Sequence, residues 1–295
     1  MDPGLTQRND ARAIRGAVLF VLFALSFPTR PQAPEKLLLP VSQTNDRHAA
    51  VEGVLSIPQP AGERLPAVLI ITSSPGFDGR STFYAKALNA AGIATLEADL
   101  FQGRGLPRSP RENLPHAYTA LRYLAAQPRI DGTRVGIMGF SWGGIVALLA
   151  ASDPLSAEYA RGPLRFAAHL GLYPICWRHH GIVIGGRGTW KDLQPAIYRK
   201  VTGAPVHILA GAKDDYDGPQ ACQDFLAALP PGVRERFSLT VYPDATFGWD
   251  HRFSFRPWEA GGNQGRGGFV DNTPNPEVAA RSREFAVEYF SKHLR

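Results

Sequence analysis

The chain has 295 residues, 44% of them hydrophobic and 20% charged, a composition that belongs to soluble globular proteins and excludes disordered and fibrous classes. The formal charge is +6, but residues 1–30 hold four Arg and two Asp, and without them the chain carries +4. The basic residues are scattered with no run of five or six, so no nucleic-acid partner is expected; at most a mild positive field helps recruit an anionic substrate.

The N-terminus is built like an export signal. Arg8, Arg12 and Arg15 precede the apolar run Gly16 to Leu25, and Pro28 closes it. That run is short for a bilayer span and suited to a signal-peptide core, with Ala24 and Ser26 as small residues at cleavage-site spacing. Residues 1–30 are therefore expected to be a signal peptide or an uncleaved N-terminal membrane anchor, with a buried helix as the plain alternative. Residues 31–295 are expected to form one domain, exported to a periplasmic or extracellular location. Membrane contact is expected only through the leader, if it stays.

After a Pro-rich linker, strand signals appear at Lys36–Val41 and Val51–Ile57. Ala67–Ile71 is a continuous apolar run, as a strand buried on both faces requires. Ser81–Ala91 has helical spacing and stops at Gly92. Ile93–Ala98 is strand-like, a helix follows through Ala117 and Leu124, and Arg134–Met138 is the next strand, with a helix over Ile145–Ala151. Phe166–Tyr173, Val206–Ala210 and Ser238–Tyr242 continue the strands, with Gln220–Leu229 helical between the last two. Asn275-Pro276 opens a final helix, a capping residue followed by Pro at the first helical position. Strands alternating with helices in this way mean an α/β fold, a mostly parallel sheet with helices on both faces. Trp177–Lys200 and Asp250–Thr273 break the alternation, and long loops at strand carboxyl ends build the sites of such sheets.

Gly139-Phe140-Ser141-Trp142-Gly143-Gly144 falls between a predicted strand and a predicted helix. A sharp strand-to-helix turn lifts the serine hydroxyl above the sheet, and glycines two before and two after keep Cβ atoms out of the crowded bend. The Trp142 N–H then lies at the positive end of the helix, facing the space in front of Ser141, where it can stabilise an oxyanion. The plain alternative is a glycine-rich turn that happens to hold a serine.

Around that turn, Ala120-Leu121-Arg122-Tyr123-Leu124, Ile130-Asp131 and Arg134 through Gly144 resemble the centre of dienelactone hydrolase-type proteins, as do Ala90–Ala94 and Ala98–Gly105 upstream. The resemblance spans most of residues 65–290. It implies an α/β-hydrolase fold and a carboxylic-ester or lactone hydrolase acting on a small molecule, with no metal or organic cofactor.

A serine nucleophile needs a base, and the base an orienting carboxylate, in the chain order Ser, Asp or Glu, His. Val206–Asp215 is similar to the family's strand-to-G-x-x-D segment, which carries the acid to Asp214, with Asp215 next in line. A turn-favouring Asp pair is the bland alternative. Tyr242–Asp250 resembles the segment in which the family's His follows Ala-Thr, but that position here is Phe247. Three readings follow. His251 in the same loop serves as base; or His179 or His180 does; or the site is catalytically impaired and the chain is a binding protein on a hydrolase scaffold. A peptidase or acyltransferase on the same fold stays open. His48 and His293 read as surface residues.

The second oxyanion donor is expected from Thr72–Phe77. Pro75 has no N–H, which leaves Ser73, Ser74 or Gly76, with Ser74 favoured. Arg104 is read as a solvated loop residue or a ligand for a substrate carboxylate. Trp177, Trp190, Trp249 and Trp258 wall a pocket or pack loops onto the core. Cys176 and Cys222, the only cysteines, have no metal-ligand spacing; the fold brings both near one sheet edge, as a disulfide or as two separate thiols.

Overall fold

Ala67–Ile71 has no polar side chain to show to water, and such a run is stable only where both sides of a sheet are covered. In the computed structural model all five residues are fully buried, within strand β3 (Leu65–Ile71). The structure describes Met1 and residues 33–42, 49–59, 64–101, 107–186 and 190–295. The expected leader (residues 2–30), His48 and Arg104 lie outside the described residues.

In chain order the other strands and helices are β1 (Glu35–Pro40), β2 (Ala50–Ser56), α1 (Arg80–Ala90), β4 (Ala94–Asp99), α2 (Leu114–Ala126), β5 (Ile130–Phe140), α3 (Trp142–Leu149), α4 (Asp153–Ala160), β6 (Ala168–Leu172), α5 (Cys176–Ile184), β7 (Val206–Gly211), α6 (Ala221–Ala228), α7 (Pro231–Arg234), β8 (Phe237–Tyr242), β9 (Trp258–Glu259), α8 (Gly262–Gly265), β10 (Gly268–Phe269) and α9 (Pro276–His293). Eight strands join in the order β1-β2-β4-β3-β5-β6-β7-β8. The pairs β1–β2 and β2–β4 are antiparallel and the rest are parallel. This is the mostly parallel sheet that the alternating pattern predicts, in the α/β-hydrolase form that the resemblance implies. Residues Pro31–Arg295 form one compact unit. No helix among the described residues is long and apolar enough to cross a membrane.

The register matters for the site. Ile71 pairs with Gly139, Phe140 with Leu172, Leu172 with Leu209 and Gly211 with Tyr242. Five parallel strand ends therefore line up along one edge, and the loops leaving them meet there.

Two expectations change. Trp177–Lys200 is not simply a loop: it begins inside α5, whose last residue is Ile184, and includes a 3-10 turn at Pro195–Tyr198. The α5 start is hard to see locally because its cap comes from afar: both Asp217 oxygens accept N–H groups, from Cys176 at 2.6 Å and Trp177 at 2.7 Å. Helix α4 was also not expected, although Ser152 caps it and Pro154 sits in its first turn. Asp250–Thr273 folds into a two-stranded ribbon in which Trp258 faces Phe269 across the strands. Asn275 caps α9 through the Val278 N–H, as its sequence signature predicts.

Cys176 and Cys222 are joined in a disulfide with Cα atoms 4.9 Å apart, tying α5 to α6. It closes a loop of 46 residues, which restricts the unfolded chain substantially. Replacing both cysteines by Ala should lower stability by about 2–4 kcal/mol, read as a shift in the urea midpoint of the oxidised protein.

Candidate active site

Ser141 sits between β5 and α3 with φ 52° and ψ −115°, a backbone conformation that L-residues with side chains rarely adopt. Its neighbours explain how it is held. The Ser141 N–H donates to the Leu172 carbonyl at 3.0 Å and its own carbonyl accepts from Ile145 at 3.0 Å. A Cβ on Gly139 would stand 2.3 Å from the Gly143 carbonyl, and one on Gly143 would stand 2.5 Å from the Thr72 carbonyl. Only hydrogen fits at either place, so the glycine spacing is dictated by the bend. The hydroxyl-bearing residue is partly exposed, at the N-terminal end of α3, where unpaired N–H groups favour negative charge.

The loop after β3 forms the turn Ser73-Ser74-Pro75-Gly76. Gly76 takes φ 84° and spends its N–H on the Ser73 carbonyl at 2.9 Å. Of the three candidate donors, Ser73 and Ser74 remain. The Ser73 hydroxyl accepts a short hydrogen bond from Arg80.

Asp214 follows β7 on a turn, as expected. It is 3% exposed and accepts the N–H groups of Tyr216 at 2.9 Å and Asp217 at 3.1 Å. Burial first, and the neighbouring Asp217 carboxyl second, push its pKa well above the carboxylate range. Burial raises Asp217 as well, against the two N–H groups it accepts. Asp215 faces elsewhere and accepts the Asp271 N–H.

Phe247, at the family's base position, fills its place with packing. Its ring stacks on Tyr216 at 4.8 Å and meets Tyr173 edge-on at 5.1 Å. His251 is not joined to Asp214 or Ser141 by any hydrogen bond. Its ring packs against Gly248, where a Cβ would come within 2.7 Å of Cδ2, and lies edge-on to Phe255 at 4.7 Å. Burial, helped by the Arg80 charge and opposed by Asp78, lowers its pKa to about 4. His251 is therefore a neutral imidazole at neutral pH, able to accept a proton. His179, by contrast, is wholly buried between Tyr198 and Phe225, with Nδ1 on the Tyr198 hydroxyl. It is a core residue.

The aromatic residues of the irregular segments divide. The Arg178 guanidinium lies 4.7 Å from both Trp177 and Trp190, and Trp190 meets Trp142 edge-on at 5.7 Å, a wall beside the Ser141 turn. Trp249 is buried against Tyr173 and Tyr242. Trp258 is 61% exposed and walls nothing.

The sequence reading missed a buried polar network under these loops. Asp250 accepts the hydroxyls of Tyr173 at 2.6 Å and Tyr84 at 3.1 Å. Arg80 donates to Tyr173 at 3.0 Å and to Asp78 at 2.8 Å, and its Nη1 stands 3.8 Å from Asp250.

The family model for the dienelactone hydrolase family matches residues 51–256. A dienelactone hydrolase from Anabaena variabilis is 22% identical, with 90% of this chain and all of that chain covered and a TM-score of 0.58. A putative dienelactone hydrolase from Klebsiella pneumoniae is 18% identical, with 88% and 100% covered and a TM-score of 0.62. Esterase 2 of Thermogutta terrifontis is 16% identical, with 91% and 97% covered and a TM-score of 0.62. A search of curated proteins returned no match.

The Asp214–Asp217 pair makes stability depend on pH. Both carboxyls are raised in the folded state, so above the ordinary carboxylate range the folded chain holds more protons there than the unfolded chain, and stability falls as pH rises. His169 and His207, lowered to about 4, and His179, lowered to about 3, act in the opposite sense, but only below the unfolded histidine range. From about pH 6.5 up through the folded Asp217 value of about 7 the carboxyl limb stands alone among these groups. The melting temperature should fall across that interval, and Asp217→Asn should flatten the fall.

Proposed function

Because the chain belongs to the dienelactone hydrolase family, we propose that it cleaves a small carboxylic ester or lactone through an acyl-enzyme on Ser141. The observation that carries this reading is the Ser141 backbone at φ 52°, held over glycines that admit no Cβ. Strain of this kind persists only where surrounding structure enforces it, and here it presents a hydroxyl beside helix N–H groups. In the reaction, Ser141 Oγ adds to the substrate carbonyl as an imidazole takes its proton. The oxyanion is met by the Trp142 N–H and by Ser74 of the neighbouring loop. Collapse expels the alkoxide, which receives the proton, and water repeats the sequence on the acyl-enzyme. His251 is our candidate base, neutral at working pH and carried on the loop that holds Phe247. Asp214 takes the acid's position, with its pKa pushed up by burial and by the neighbouring Asp217 carboxyl.

That last point favours a second reading. With Phe247 packed between Tyr173 and Tyr216, a chain whose base is lost would be a binding protein on a hydrolase frame. The disulfide between Cys176 and Cys222 and the Arg-led apolar leader both support a location outside the cytoplasm, where such bonds persist.

Fluorophosphonate labelling of the wild type, with Ser141→Ala as the blank, separates the two. The hydrolase reading expects labelling at Ser141 and a loss of at least about 10³-fold in activated-ester turnover for His251→Ala, as removal of a triad member gives. The binding reading expects an unreactive wild type that gains turnover on Phe247→His, because that change returns an imidazole to the neighbourhood of Asp214.

A further inference from the structure

Arg80 occupies the first position of α1, with Gly79 before it in a left-handed conformation and no acidic residue in the first turn. The start of a helix is the wrong end for a cation, since the peptide dipoles place positive charge there. Burial makes matters worse: the side chain is 5% exposed, and a charge removed from water is tolerated only when paired and hydrogen-bonded. Helix stability therefore gives no reason for an arginine here. Its hydrogen bonds do.

We propose that Arg80 is the positioning residue of the site, joining the oxyanion loop, the turn after β6 and the loop that carries His251. This rests on the Ser141 hydrolase reading. One guanidinium reaches all three. Nη2 donates to the Ser73 hydroxyl, in the loop that must supply an oxyanion N–H. Nη1 donates to the Tyr173 hydroxyl at 3.0 Å, which in turn donates to Asp250, the residue before His251. Nε and Nη2 are both held by Asp78, at 2.8 and 2.5 Å. The group also lies 5.7 Å from the centre of the Phe140 ring, next in chain to the nucleophile.

The oxyanion loop needs such a tether. Between Thr72 and Arg80 it has a proline and two glycines with positive φ, Gly76 and Gly79. Oxyanion donors lower a barrier only when already in place before charge develops. Arg80 also faces His251 together with Asp78, while Asp250 adjoins His251 in the chain and the Arg252 guanidinium packs on Gly79. Burial keeps that imidazole unprotonated, the Arg80 charge adds to the effect, and Asp78 works against it.

The test uses the full-length oxidised protein and p-nitrophenyl acetate, with fluorophosphonate labelling of Ser141 as the reference reaction. Arg80→Lys keeps the charge and loses the fork; Ser73→Ala removes only the link to the oxyanion loop. We expect Arg80→Lys to lower kcat by about 10- to 100-fold with KM within about threefold, as loss of a transition-state contact does. Ser73→Ala should lower kcat in the same way, and the double variant should be no slower than Arg80→Lys alone. In Arg80→Met the acid limb of kcat/KM should move up toward an ordinary histidine, while Arg80→Lys leaves it in place. If Arg80→Met does not fold, the Lys and Ala variants still decide. An unchanged kcat in Arg80→Lys, a loss confined to KM, or losses that multiply in the double variant would overturn the proposal while labelled wild-type Ser141 stands. A wild type that takes no label removes the hydrolase reading and this inference with it.

Discussion

Everything in the site follows from one crowded bend. Parallel strands β3, β5 and β6 end in register, so the backbone leaving β5 must turn within the space between the Thr72 carbonyl and the Leu172 carbonyl. No side chain fits at Gly139 or Gly143, and the residue between them is driven into a positive φ with its side chain upward. The sheet thus fixes the position of a hydroxyl to the precision of its hydrogen-bond ladder, while the chemistry around that hydroxyl is left to loops.

Those loops are packed largely by aromatic contacts. At the position where the resemblance expects a base, Phe247 closes an aromatic contact with Tyr173 and Tyr216. The Asp214 carboxyl has its pKa raised, because burial and the neighbouring Asp217 carboxyl both disfavour its ionised form. A second buried polar group, Asp78–Arg80–Asp250 with its two tyrosines, lies beside α1.

How much of this could be read in advance depends on how local its cause is. The bend at Ser141 was legible because its steric demand is written in glycines two residues either side. The strand runs were legible because burial on both faces leaves no room for polar residues, and α9 because Asn275-Pro276 is its own start signal. Helix α5 was not, since its N-terminal cap is Asp217, some forty residues away, and Gly181 interrupts its pattern. The Arg80 network was hidden for the same reason: its partners Tyr173 and Asp250 come from distant stretches. One signal did exist, an arginine at the start of a predicted helix, where an acid would suit the dipole better. Asp214 was singled out by resemblance, but its raised pKa comes from burial and from Asp217, which no single segment reveals.

The Cys176–Cys222 bond has a practical bearing. Cys176 begins the helix that carries Trp177 and Arg178, and its N–H is held by the same Asp217 whose own N–H contacts Asp214. A covalent tie thus anchors the aromatic wall and the carboxyl pair at a single point. Protein produced in a reducing cytosol would lack that tie at the moment of folding, so the choice of expression compartment becomes a variable in every rate measured on it.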